Sequence, residues 1–490
     1  MPSSIRKTIG SGIFYTALSR YSNIFISIGI TAILSRLLTP QEYGIVAIVA
    51  VFITFFNFLG DFGIGPAIIQ NKELTQKDLE SIFSFSLLFG ILLSAIFFLG
   101  ATLIGRFYHD PALINVSRWL SLSVLLFSFG VVPTSLNKKK LLFKKIGIIF
   151  VSVQAFTGLV AIILAYLNFS YYALIIRAIL NALFLFIFNY KLSPTKPALR
   201  IKAGSIRKIF SFSSYQFLFN FINYFSRNTD NLLIGRYFGP AALGFYDKAY
   251  NLMLLPVQNL THVITPVLHP VLSEYQNQKK RIFNSYMRII IILATIGFPL
   301  SVFLYFSGNE VIRIFYGEQW GQSVPVFKLL AIIIGIQIVM SSGGSIFQAV
   351  NRTDLLFLSG TLGAITAVGG ILYGLFVGKT LESIVHGLIL AYSLNFIQTF
   401  FLLIKKALQA RMADFLKKLV FPLILSTGVL IGNLILSQVT IENIYYSLSA
   451  KVVVSLFMFV IIFAIPGNNR AIMKRQVTGL LKKYPSKITI

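Results

Sequence analysis

Apolar runs of about 18 to 28 residues recur along this chain, each long enough to cross a hydrocarbon core roughly 30 Å thick. No soluble fold hides so many of them, because 56% of the residues are hydrophobic and only 12% are charged, too few to cover such a core. The runs lie near 11–35, 43–70, 81–105, 116–136, 146–167 and 171–190, then near 209–235, 245–272, 286–306, 324–350, 354–377 and 381–404. Two more follow near 419–436 and 445–465. The expected fold is an all-α integral membrane protein of about fourteen transmembrane helices. Cysteine is absent, which excludes disulfide frameworks, thiolate metal sites and cysteine nucleophiles.

The net charge of +28 would point to nucleic acid in a soluble protein. Here the basic residues collect in alternate loops: Lys138 to Lys140, Lys144 and Lys145, then Lys191 to Lys208, Lys279 to Arg281, Lys405 to Lys418 and the tail. About thirty fall on one side and about five on the other, chiefly Arg36, Arg106, Arg236, Arg313 and Lys379. Basic loops resist translocation, so both termini are expected in the cytoplasm, and the charge reads as topology plus attraction to anionic lipid rather than nucleic-acid binding. The basic start, Met1 to Lys7, leads into the first run without a small-residue cleavage site and is expected to precede a retained span.

An internal repeat appears at an offset of about 200 residues. Arg36, Pro40, Gly44 and Pro66 match Arg236, Pro240, Gly244 and Pro266, within the strings SRLLTPQEYG and GRYFGPAALG. Arg106-Phe107-Tyr108 resembles Arg313-Ile314-Phe315-Tyr316 in the same way. Two pseudo-symmetric six-helix bundles follow, over 1–190 and 209–404, joined by a basic linker at 191–208. A loop at 405–418, two extra helices over 419–465 and a cytoplasmic tail at 466–490 complete the chain. Six is an even number, so both bundles enter from the same side and are parallel repeats.

Ionisable residues inside spans cost several kcal/mol each and by default face a bundle interior or a wet cavity. Arg20 lies roughly 13 Å into the first span at 1.5 Å per residue. Arg177, Arg227 and Lys248 add positive charge from both halves, a set suited to an anionic substrate. Arg177 and Lys248 are near enough to a surface to snorkel instead. Arg227 and Asp230, three apart on one helix face, can pair with each other. Asp61 sits in Gly60-Asp61-Phe62-Gly63-Ile64-Gly65-Pro66, a run expected to break its span near mid-membrane. Its carboxylate then either binds a coupling cation or proton, or caps freed amides. His262 and His269 have no carboxylate at ligand spacing, so no metal site is expected. Enzyme motifs are missing, and no outer loop exceeds about 20 residues, which disfavours a glycan polymerase or ligase with an exposed catalytic site.

The segment Leu34-Ser-Arg-Leu-Leu-Thr-Pro-Gln-Glu-Tyr-Gly44, followed by Asp61 to Gln70, resembles the polysaccharide (Wzx-type) flippases of the MOP (MATE-like) transporter superfamily, as does Asn228 to Tyr246 in the second half. That resemblance implies two six-helix bundles in a V shape around a cationic cavity, and a flippase carrying an undecaprenyl-diphosphate-linked oligosaccharide for lipopolysaccharide, capsule or exopolysaccharide assembly. It implies a bacterial inner-membrane location, alternating access, no cofactor beyond a coupling ion, proton or sodium, and the glycan polymerase and chain-length machinery as partners. By it, Arg20, Arg177, Arg227 and Lys248 would hold the diphosphate or acidic sugars, and Asp61 and Asp230 are the ion-coupling candidates. The two extra helices are a candidate groove for the polyprenyl tail. A drug or cation antiporter of the same fold is the alternative, which an arginine-rich cavity argues against.

Overall fold

The computed structural model describes residues 3–198 and 200–464, with side chains left aside at 3–14, 207–223, 225–226, 262–267 and 269–270. The expected tail at 466–490 and the side chains of His262, Pro266 and His269 lie outside the described residues. Among the described residues every regular element is helical. In order they are α1 (Ser3–Leu37), α2 (Pro40–Asp61), α3 (Ile64–Gln70), α4 (Gln76–Tyr108), α5 (Ala112–Lys139), α6 (Phe143–Tyr166), α7 (Tyr172–Leu192) and α8 (Ala203–Ser273). Then come α9 (Lys279–Phe306), α10 (Gly308–Tyr316), α11 (Ser323–Met340), α12 (Gly343–Ala349), α13 (Thr353–Tyr373), α14 (Leu381–Phe400), α15 (Met412–Leu436) and α16 (Ile444–Ala464). The chain divides into two compact units, Met1–Asp247 with Phe315–Gln319, and Lys248–Ile314 with Trp320–Ile490.

Twelve helical segments among the described residues are long and apolar enough to cross a membrane. The other two expected spans, 209–235 and 245–272, fall one on each arm of α8, a 71-residue element with non-helical backbone at Gly239; both arms hold residues whose side chains lie outside the description, so neither counts among those twelve.

In the first unit, polar side chains set the helix starts. Thr39 accepts the Glu42 amide at 3.3 Å while the Glu42 carboxylate accepts the Thr39 amide at 2.6 Å, a reciprocal cap with Pro40 in the first turn of α2. Thr75 and Asp78 repeat the device at α4, and buried Asp78 also accepts the Ser205 hydroxyl at 2.5 Å. The expected break in the second span is present: Phe62 and Gly63 turn left-handed, at φ 34° and 77°, and α3 restarts after them. Glycine suits such a turn because it lacks the Cβ that would clash.

The sequence repeat acquires its meaning inside this unit. A Cβ on Gly44 would stand 1.7 Å from the Pro240 carbonyl oxygen, and one on Gly244 would stand 2.1 Å from that of Pro40. Each motif thus seats its glycine on its counterpart's proline carbonyl, an approach no larger residue permits. The flanking arginines cross over as well. An Arg36 guanidinium nitrogen donates to the Phe315 carbonyl at 3.3 Å, and the Arg236 guanidinium lies 5.3 Å from the centre of the Phe107 ring. Phe107 and Phe315 belong to the two matching Arg-containing strings, so equivalent residues exchange equivalent neighbours.

In the second unit α9 is the organising helix, packed against α11 and α15. The Tyr286 hydroxyl of α9 shares a hydrogen bond of 3.0 Å with Ser342, at the interruption between α11 and α12. The two extra helices form a hairpin in which the Asn433 amide donates to the Ser455 hydroxyl at 2.9 Å. The Lys451 ammonium of α16 reaches the Glu310 carboxylate at 2.5 Å and the Phe306 carbonyl at 2.9 Å, tying the hairpin to α10. Burial alone would push the Glu310 carboxyl up, but its bonds to Lys451 and Ser447 outweigh that and hold it below the usual range.

Candidate functional site

α1 presents two polar surfaces. Towards α6, Ser19 meets Gly147 and Ile30 meets Gly158, small residues that let the helices close. Arg20 lies about 100° further round, on an exposed flank. Thr16, Arg20, Asn23, Ser27 and Thr31, spaced four, three, four and four apart, form a polar ridge along that side, with Thr16 and Arg20 exposed and the others half-buried. The Asn23 amide oxygen is buried and has no partner among the described residues, nor does Arg20 pair with a carboxylate there.

Arg177 is half-buried near the start of α7, within electrostatic reach of Tyr43. Tyr43 shares a hydrogen bond with Ser35 and also feels Asp247 and Glu42. Glu42, besides capping α2, accepts the Ser170 hydroxyl, and the Gln319 amide donates to the Ser35 and Leu38 carbonyls. Arg177 therefore belongs to a polar cluster at the end of the spans where α2 begins.

Asp61 lies elsewhere. It is about 18 residues further along α2 than Tyr43, roughly 27 Å at 1.5 Å per residue, and so is not in one site with Arg177. Its Oδ1 accepts the Gly65 amide at 3.0 Å, across the turn, and Lys138 is its nearby charge. The break is thus near the basic-loop end of the span rather than mid-membrane, because α2 starts at Pro40 and is nearly membrane-long by Asp61. The carboxylate caps the amide that the turn releases.

Asp230 is buried, and its carboxylate accepts the Tyr246 hydroxyl at 2.7 Å and the Asn231 amide at 2.8 Å. The expected pairing with Arg227 is not formed among the described residues: Arg227 is exposed while Asp230 turns inward to Tyr246, across the bend at Gly239. Lys248 is buried with its ammonium 5.6 Å from the centre of the Trp320 ring, a cation–π arrangement. The first unit therefore holds Arg20, Arg177, Arg227, Asp61 and Asp230, and the second holds Lys248.

Sequence reading passed over Asn23, Asn57, Asn231 and Tyr246. The three amide oxygens are buried without partners among the described residues, which is rare unless a ligand or water meets them. The 3.6-residue period of polar side chains in α1 is the signal that would have found Asn23. Among the described residues no group of histidines and carboxylates is arranged to hold a metal.

A profile for polysaccharide biosynthesis proteins matches residues 33–325, well over half of the chain. The chain belongs to this family. The polysaccharide biosynthesis family member is 26% identical over 441 residues to the lipopolysaccharide biosynthesis protein WzxC of Escherichia coli (strain K12), covering 87% of each. It is 27% identical over 360 residues to the teichuronic acid biosynthesis protein TuaB of Bacillus subtilis (strain 168), covering 72% of this chain and 74% of that one. Among solved structures, the lipid II flippase MurJ in an inward closed conformation superposes with a TM-score of 0.73 over 92% of this chain and 98% of its own, at 15% identity. The likeness shows a shared fold.

Proposed function

We propose that this family member is a flippase that moves an undecaprenyl-diphosphate-linked oligosaccharide from the cytoplasmic to the periplasmic leaflet of a bacterial inner membrane, by alternating access and at the expense of a proton or sodium gradient. It is a transporter rather than an enzyme, with both termini in the cytoplasm. The lipid-linked substrate keeps its tail in the bilayer and needs a polar route for its headgroup alone. The observation that carries the reading is the α1 ridge: an exposed guanidinium at Arg20 amid Thr16, Asn23, Ser27 and Thr31, within a helix long and apolar enough over Tyr15–Leu37 to cross a membrane. An ionised group at such depth costs several kcal/mol unless water or a counter-charge meets it, and a diphosphate supplies the counter-charge during transit. Arg227, exposed on α8, is the second cation of the same kind, while Arg177, beside Tyr43, and buried Lys248, beside Trp320, already have protein neighbours. Asp230 is the better placed coupling group of the two carboxylates, being buried on a tyrosine hydroxyl, whereas Asp61 is engaged as a cap.

A drug or cation antiporter is the second reading in this fold. The exposed guanidiniums of Arg20 and Arg227 repel cationic drugs, and the family match favours glycan transport.

The test replaces Arg20 by Ala and by Lys in a glycan-assembly strain and measures surface polysaccharide at matched protein levels. Arg20→Ala is expected to lower export by about tenfold or more, the effect of about 1.4 kcal/mol, with Arg20→Lys retaining part of it. Normal export in both variants removes Arg20 from the route.

A further inference from the structure

The second unit carries a basic cavity whose lining includes none of the residues proposed above for transport. It is an open hollow of about 950 Å³ at the start of α9, lined by Lys279, Lys280, Arg281 and Arg288, with Asn284 and Ser285 as uncharged donors. Arg281, Asn284, Ser285 and Arg288 stand three, one and three residues apart, so they occupy one face of α9. A second, apolar cavity of about 260 Å³ adjoins it, walled by Leu268 and Leu272 from α8 and by Ile282 and Ile289 from α9. Arg281 and Ser285 line both cavities, so the polar and apolar spaces share a wall.

We propose that this pair of cavities binds an anionic membrane phospholipid, with the phosphate among the four cations and the first methylenes of an acyl chain in the apolar slot. Charge complementarity selects the occupant. No carboxylate lines either cavity, and Glu274, the nearest in sequence, lies outside both. Among the described residues Lys279, Lys280 and Arg288 have no protein partner, unlike the basic loop after α5, where Lys139 binds the Asn71 carbonyl at 2.7 Å and Lys140 the Ser193 hydroxyl at 2.9 Å. Arg281 is held in place, its guanidinium 3.8 Å from the centre of the Tyr275 ring and one nitrogen 3.3 Å from the Gln278 side-chain oxygen. Topology alone requires positive charge in this loop but neither a cavity nor a stacked arginine. A free phosphate would leave the apolar slot unfilled, and the ammonium of a zwitterionic headgroup would be repelled by four cations. Basic pockets between spans on the side assigned to the cytoplasm are suited to such headgroups.

Native mass spectrometry of the full chain, purified in detergent and offered phosphatidylglycerol and phosphatidylcholine in equal amounts, tests the site. Phosphatidylglycerol is expected to be retained at least about tenfold over phosphatidylcholine, and Arg281→Ala/Arg288→Ala to cut its retention by about fivefold or more. Lys417→Gln/Lys418→Gln removes the same charge from α15 and is expected to change nothing. Equal retention of both lipids, an equal loss in the α15 variant, or displacement of the lipid by millimolar inorganic phosphate each overturns the assignment. Should the double alanine variant elute as aggregate, Arg288→Gln alone carries the same expectation, and unchanged retention in it overturns the proposal. None of these readouts depends on transport, so a failure here leaves the flippase reading standing.

Discussion

The turn at Thr39-Pro40 and the turn at Gly239-Pro240 occupy equivalent places in the repeat and reach the same contact by different means. At the first, α1 stops at Leu37 and Thr39 sits in extended backbone, capping α2 with help from Glu42. At the second, one residue does the turning: Gly239 adopts φ 83° and ψ 175°, and helix continues on both sides of it. The two turns agree in Pro40 and Pro240, whose carbonyls receive Gly244 and Gly44, and differ in the residue before. The repeat therefore preserves the surfaces that touch and leaves the manner of turning free, because only the contact has to satisfy both halves at once.

The reciprocal contact is the part of this comparison most exposed to test. Gly44→Leu or Gly244→Leu places a side chain inside a backbone carbonyl and is expected to cost about 3 kcal/mol or more, read as a fall in thermal unfolding midpoint in detergent. The double variant should cost clearly less than the sum of the two, since one displaced seam accommodates both; additive losses would mean that the two glycines do not share a contact. Gly239→Ala is expected to cost about 1 to 3 kcal/mol through backbone strain alone, as a Cβ there meets nothing within 4 Å. Asn at 239 should not rescue it, because its ψ lies outside the left-handed helical region that Asn tolerates. The smallest effect belongs to the capped turn. Thr39→Ala should cost about 1 kcal/mol and Thr39→Gly a few tenths, and a loss at Thr39 as large as that at Gly239 would erase the distinction between the two turns.

Much of the architecture was legible before any coordinates. Hydropathy located twelve segments that the structure shares, because a bilayer imposes a length on every span. On α8 it separated 209–235 from 245–272, and the two arms of that element do part at Gly239, but that the turn takes a single residue was not legible, because no window average registers a one-residue turn. The break after Asp61 was legible from its glycines, but its depth was not, since depth depends on where the helix begins, and the capping box from Thr39 to Glu42 decides that. The candidate charges were legible as charges. Their partners were not: local spacing offered Arg227 to Asp230, whereas the buried hydroxyl of Tyr246, 16 residues on, takes the carboxylate.

By itself the amino-acid sequence determined the solvent this protein lives in, the helical character of its spans, the charge asymmetry of its loops and the existence of a repeat, because each follows from the transfer free energy or identity of residues near one another in the chain. The tertiary structure decided which motif meets which, that Gly44 lies on Pro240 and Gly244 on Pro40, that Arg177 and Asp61 occupy opposite ends of a span, and that the basic hollow at the start of α9 shares Arg281 and Ser285 with an apolar slot. Those facts depend on distances between residues far apart in sequence, and packing sets such distances where periodicity says nothing about them.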